Sequence, residues 1–446
     1  MGSDDVGIQF QIPPLALEEQ STINRAEITT YDALILDAYL RQSLVSVRSL
    51  GSRGLRIAAL NTKSAIPTFS SRWCQRSFVC PSSEATDGYL DYLEQLLELT
   101  GARVLISSSD STVALLRQNR ERLEKRVCLA LAKEPALAIA VNKELTLEIA
   151  NRLGLPVPRG VPVKSVDEVE AALHEIGLPA VVKPIESWVW REDAVENDST
   201  GKRIVSQLVT TPEEAQFAVE ELTSAGGTTL FQRFLTGKRE AISFLYANGE
   251  MYARFAQWAK RTEPPLGGQS VLRQSMAIPT DIGDAAERLV REINLEGYSE
   301  VEFRRDSAGI PYLMEINPRL SASVEIAVRS GVDFPFLLYQ WANGEKIDRV
   351  QSYRVGVWMR HLKGDIMTTI EAIQQRGRPG VTPPVQAILG FCSSFFVPMG
   401  YDYFDWKDPK PAFIATKDFT SQWLGGAVRK RLASLQSKMR GMEHHA

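Results

Sequence analysis

Val301-Glu-Phe303 and Leu313-Met-Glu-Ile-Asn-Pro-Arg319 flank the turn-forming stretch Asp306-Ser-Ala-Gly309. Apolar runs on either side of such a turn predict a β-hairpin. If the hairpin closes symmetrically, Glu302 faces Leu313, and Glu315 is its diagonal neighbour on the same face. The two carboxylates then lie within ~7–8 Å by their β carbons, and Asn317, one pleat further along, points the same way. Two carboxylates and an amide oxygen are hard ligands, suited to Mg²⁺ held together with substrate phosphates. Arg319 adds a permanent cation for a phosphoryl group or a developing oxyanion.

Working outward, Lys143 opens a helix in Val141-Asn-Lys-Glu144, and Lys183 ends the apolar strand Ala180-Val-Val-Lys183. A helix start favours anions, so a lysine there is electrostatically poor. Both lysines make sense if they neutralise phosphates. Between the strands, Pro264-Pro-Leu-Gly-Gly-Gln-Ser-Val-Leu-Arg273 combines a glycine pair with an arginine fork. Gly268 allows close backbone approach and Arg273 matches a carboxylate, which predicts an acceptor-substrate loop.

The N-terminal third alternates strand and helix patterns: Ala33–Leu36, Tyr39–Leu50, Leu55–Leu60, Asp87–Thr100, Val104–Ile106 and Thr112–Leu123. This implies a doubly wound parallel sheet to about residue 135, with residues 1–29 as an arm. Thr211-Pro-Glu-Glu214 and Ser165-Val-Asp-Glu168 read as capping boxes, and Asn248-Gly249 as a hairpin turn. Domains are expected at 1–135, 136–345 and 346–446, the middle one with lobes at about 155–232 and 233–345.

The chain has 446 residues, 44% hydrophobic and 24% charged, with 51 basic against 54 acidic side chains, a net −3. That balance argues against a dedicated nucleic-acid binder. The four cysteines form no Cys-x-x-Cys pair, and His174, His361, His444 and His445 are the only histidines. A zinc ribbon, a three-histidine metal site and a Ser-His-Asp triad are therefore disfavoured. No apolar leader or membrane-length run is seen, so a cytoplasmic protein is expected. Val428, Leu432, Leu435, Met439 and Met442 make one stripe of a basic helix, expected to pack on its own domain or a second subunit in a homodimer rather than on a membrane.

Lys143, Lys183, the stretch Phe231-Gln-Arg-Phe-Leu-Thr-Gly-Lys-Arg-Glu240, and Glu302 with Glu315-Ile-Asn-Pro-Arg319 together resemble the ATP-grasp superfamily, over roughly residues 130–345. Ser107-Ser-Ser-Asp110 after a strand resembles the preceding domain of its carboxylate–amine ligases, a group including L-amino acid ligases and D-aspartate-ligase-like enzymes. The fold class implied is α/β: a doubly wound parallel-sheet domain, a two-lobed α+β ATP-grasp domain and a C-terminal extension. The resemblance implies that Lys143 and Lys183 grip ATP phosphates and that Gln232, Arg233, Phe234 and Leu235 form the hinge whose backbone reads adenine. Glu240 would hold the ribose hydroxyls. Glu302, Glu315 and Asn317 would bind Mg²⁺ or Mn²⁺, and Arg319 would stabilise the tetrahedral intermediate. Two departures stand out: Gln232 replaces a frequent acidic residue, and the phosphate-covering loop Glu186-Ser-Trp-Val-Trp-Arg191 is bulky. The activity implied is ATP-dependent joining of a small-molecule carboxylate to an amine. A carboxylase, a carbamoyl-phosphate-type enzyme and a non-catalytic nucleotide-binding regulator are the alternatives.

Overall fold

A computed structural model describes residues 30–83, 86–189, 202–203, 206–224 and 227–423. The C-terminal stripe Val428–Met442 and, in the bulky phosphate-side loop, Trp190 and Arg191 lie outside the described residues.

The first sheet is parallel throughout, in the order β3-β2-β1-β4-β5. Its strands are β1 (Ala33–Ile35), β2 (Ile57–Asn61), β3 (Arg76–Val79), β4 (Val104–Ile106) and β5 (Cys128–Leu129). β1, β2 and β4 are buried along their whole length, which is why they read as unbroken apolar runs rather than alternating ones. Helices α1 (Arg41–Gly51), α2 (Asp87–Thr100) and α3 (Asp110–Gln118) cover it. Ser109 caps α3 by accepting from the Thr112 N–H, and Gly101 ends α2 in the left-handed region.

After α4 (Lys143–Arg152), a small antiparallel sheet runs β8-β7-β9-β6: β6 (Gly160–Val163), β7 (Ala180–Pro184), β8 (Gln207–Val209) and β9 (Thr229–Arg233). Its core face buries Val182 and Phe231 among residues of α5 (Val169–Ile176) and α6 (Pro212–Thr223). Lys183 and Val181 pair with Leu230 and Gln232 on the opposite face. Thr211 caps α6 through the Glu214 N–H, as its capping box predicts, whereas Ser165 makes no side-chain cap.

The large sheet runs β14-β13-β10-β11-β12-β15-β16. Its strands are β10 (Arg239–Ala247), β11 (Glu250–Glu263), β12 (Gln269–Met276), β13 (Gly297–Arg305), β14 (Pro311–Asn317), β15 (Trp358–Arg360) and β16 (Gly400–Tyr401). Asn248 and Gly249 both take positive φ, as a type I′ hairpin between β10 and β11 requires. β15 and β16, from the segment after residue 345, complete this sheet.

The decisive hairpin closes differently from the symmetric expectation. Arg305 pairs with Pro311, so the turn is one residue longer, and a bulge at Met314 adds a second shift. The longer turn alone would turn Glu315 to the wrong face; the bulge restores it. Glu302 consequently pairs with Glu315 directly, not with Leu313, and Glu300 pairs with Asn317.

Candidate active site

A cleft of about 570 Å³ opens where the three sheets meet. The first sheet contributes Tyr39, Gln42 and Ser108 from beyond its strand ends, the small sheet Lys183, and the large sheet its carboxylates. That volume suits a nucleotide with a small co-substrate.

The directly paired carboxylates Glu302 and Glu315 face the cleft together with Asn317, whose Nδ2 donates to Glu302 at 3.1 Å. Glu315 lies 3.7 Å from the Lys143 ammonium, which also meets the Ser187 hydroxyl at 3.1 Å. Burial raises the Glu302 carboxyl to about 7, although Arg239 beside it pulls the other way. For Glu315 burial also raises the value, but Lys143, Lys183 and Arg239 together hold it below the usual range. Lys183 is pushed down to about 8, chiefly by burial, with Glu315 opposing the shift. Two adjacent carboxylates thus sit in unlike electrostatic environments. Among the described residues no group of three His, Cys, Asp or Glu gathers as a metal cage. Two carboxylates and an amide still fit Mg²⁺, which takes its remaining ligands from water and phosphates.

Arg319 pairs with Asp110 at the start of α3, and despite burial that carboxylate keeps its guanidinium firmly charged. Phe234 and Leu235 line the cleft, with the Arg304 guanidinium 5.2 Å over the Phe234 ring; Arg233 lines it too. Gln232 shares the cleft-side face of its sheet with Val181 and Lys183. Both polar atoms of its buried amide lack a partner.

Two expected residues sit elsewhere. Glu240 points to the opposite face of β10, paired across the sheet with Phe303, and its carboxylate accepts from Arg305 Nε at 2.9 Å. Its neighbour Arg239 occupies the cleft face and binds Glu302, as strand alternation requires. Arg273 is fully buried and forks onto Asp402, at 2.6 and 3.3 Å, away from the cleft. Gly268 does line the cleft, at φ +71, and its carbonyl accepts from Arg239. Sequence reasoning missed Glu300, although it precedes Glu302 by one pleat, and it gave Asp110 no role.

Residues 228–364 match the family model described as "ATP-grasp in the biosynthetic pathway with Ter operon". The chain is 24% identical over 335 residues to the carbamoyl phosphate synthase large chain, N-terminal section, of Aquifex aeolicus, covering 72% of this chain and 55% of that one. It is also 24% identical over 222 residues to the D-alanine–D-alanine ligase of Chromohalobacter salexigens, covering 46% and 64%. The chain thus spans under two thirds of the length of these relatives. In fold it is similar to biotin carboxylase from Campylobacter jejuni, with TM-score 0.58, 14% identity and 74% of each chain covered. It is similar likewise to L-amino acid ligase from Bacillus licheniformis, with TM-score 0.56, 16% identity and coverage of 74% and 79%. Sequence match and fold agree with the geometry of the cleft, the ATP-grasp family match lying over residues 228–364.

Proposed function

We propose that this protein is an ATP-dependent carboxylate–amine ligase. The observation that carries the reading is the direct pairing of Glu302 with Glu315, beside Lys143 and Lys183 and with Arg319 in the same cleft. Glu302, Glu315 and Asn317 would hold Mg²⁺, or Mn²⁺, which when bound neutralises the charge of the transferring phosphoryl group. Lys143 and Lys183 grip the ATP phosphates, and Arg233, Phe234 and Leu235, which line the cleft, form the segment whose backbone reads the adenine. Arg239 has to leave Glu302 for the metal to enter, which frees its guanidinium for the nucleotide.

In the first step a substrate carboxylate oxygen attacks the γ-phosphorus, the bond to the β,γ-bridging oxygen breaks, and ADP leaves. In the second a neutral amine attacks the acyl carbon, the carbon–oxygen bond to phosphate breaks, and nitrogen loses a proton. Arg319 faces the oxyanion formed during that addition. No side-chain nucleophile is required, which suits a cleft lined by carboxylates, lysines and arginines.

The similarity to a D-alanine–D-alanine ligase and an L-amino acid ligase supports amide formation. The similarity to a carbamoyl phosphate synthase and a biotin carboxylase favours bicarbonate as a second candidate acceptor of phosphate. Phosphate release measured over pairs of carboxylates and amines, with bicarbonate alone as a separate arm, decides between them. The ligase reading requires release that depends on both partners and vanishes in Glu315→Gln. Release with bicarbonate alone would replace it.

A further inference from the structure

Asp37 follows β1 at a positive φ of 53, a conformation that costs a non-glycine residue about 1 kcal/mol. It is buried, and no lysine or arginine lies within ion-pair distance of its carboxylate among the described residues. Both features are costly, and the chemistry of the cleft uses neither. Four donors offset them, all from the turn after β4. Oδ2 accepts from the N–H groups of Ser108 and Ser109 at 2.8 and 2.9 Å and from the Thr112 hydroxyl at 2.7 Å. Oδ1 accepts from the Ser109 hydroxyl at 3.0 Å. The Ser43 hydroxyl in turn donates to the carbonyls of Leu36 and Asp37, at 3.0 and 2.9 Å, and fixes the backbone from which the carboxylate projects.

β1 and β4 are neighbours where the strand order reverses, and the strand ends at such a point form the crevice in which open α/β sheets take ligands. N–H groups leading into a helix there would ordinarily meet a ligand's anion. Here the chain's own carboxylate holds them. Ser108, Ser109, Asp110 and Ser111 line the cleft, whereas Asp37 and Thr112 do not. Asp110, the first residue of α3, is bracketed by the residues that Asp37 grips, and it accepts from Arg319 Nε. Every link from Asp37 to Arg319 is thus a hydrogen bond or the chain itself.

We propose that Asp37 is a positioning residue for the reaction: by pinning the turn that carries Asp110, it sets the orientation of the Arg319 guanidinium toward the reacting carboxyl group. The role of Arg319 in that step rests on the ligase reading; its placement by Asp37 does not. Without the carboxylate the turn shifts and Asp110 moves with it. A displacement of about 1 Å at a group facing the reaction slows it roughly 100-fold. Lys143 and Lys183 belong to other elements and keep their places.

Two readouts on the full-length protein test this. The first is the Nε–H NMR resonance of Arg319 in the ligand-free protein, identified by its loss in Arg319→Lys. It should shift in Asp37→Asn and in Thr112→Val, which deletes one donor to Asp37 outside the cleft. Thr112→Ser keeps the hydroxyl and should return the resonance to its wild-type position. The second is phosphate release with whichever carboxylate–amine pair the wild-type protein uses. Asp37→Asn should lower kcat about 10- to 100-fold with KM for ATP changed less than about threefold, and Thr112→Val should lower kcat in the same sense. Added to Asp110→Asn, Asp37→Asn should change kcat by less than about twofold, because both act through one contact. Thr112→Val carries both readouts if Asp37→Asn does not fold. An Arg319 resonance that stays in place in the variants, or kcat losses that multiply in the double variant, would overturn the proposal. So would a lowered melting temperature with unchanged kcat per folded molecule, which is what a merely structural Asp37 predicts. A resonance that moves while no pair elicits phosphate release from the wild type would sink the ligase reading and leave the placement of Arg319 by Asp37 standing.

Discussion

Lys183 combines a buried ammonium with a proposed task, gripping the ATP phosphates, that needs its charge. Its proton is held only up to about 8 in the folded chain against 10.5 for the free side chain. ATP affinity should therefore fall as pH rises through about 8, and Lys183→Arg should flatten that dependence. The sign for stability is opposite. Between about 8 and 10.5 the unfolded chain binds more protons at this group, so its contribution to stability rises with pH. Nucleotide titration across pH 7 to 10 checks the first statement, and denaturant unfolding over the same range checks the second. Arg319 gives a sharper test of role. Arg319→Ala should slow amide formation by ~10²–10³ while the protein stays folded. A loss of stability with unchanged specific activity would reduce Arg319 to a structural partner of Asp110.

At the scale of elements, the loop before β12 places Gly268 at φ +71, where an added Cβ would meet the Glu263 carbonyl oxygen at 2.1 Å. Gly268→Ala should cost about 1–3 kcal/mol in denaturant unfolding and raise KM for the substrates, because the loop that meets Arg239 must shift. Unchanged stability and KM would remove the close approach from the account. Most elements were legible because each carried a local signal: unbroken apolar strands in the parallel sheet, Thr211 as a cap, Asn248-Gly249 as a turn. The pairing of Glu302 with Glu315 was only half legible. Face alternation put both carboxylates on one side, but a longer turn and a bulge at Met314, neither of which leaves a local signature, set the final register. Glu240 failed for a related reason: a one-residue offset along a strand exchanges the faces, and Arg239 holds the cleft position. Arg273 failed because its partner Asp402 is far away in sequence, and no local pattern announces such a pairing.

At the scale of the molecule, buried ion pairs tie the C-terminal segment to both other parts. Asp402 receives Arg273 from the large sheet and Arg41 from α1, and Asp408 receives Arg48. Burial alone would raise the Asp402 carboxyl, but Arg273 and Arg41 hold it well below the carboxylate range. A depressed carboxylate stabilises above its unfolded value of 3.8, and that stability is lost as pH falls further. Asp402→Asn leaves two buried guanidinium groups short of a counter-charge and should cost ~3–5 kcal/mol near neutral pH. Denaturant unfolding measures it; a change below about 1 kcal/mol would mean that the joint is held by packing instead.

If the cleft makes an acyl phosphate, the oxygen atoms report on it directly. With a carboxylate substrate labelled with ¹⁸O and a productive amine, mass spectrometry of the released phosphate should find one labelled oxygen, transferred from the carboxylate as the amide forms. Phosphate released without the label would show that the carboxylate never attacked phosphorus, and would contradict the account.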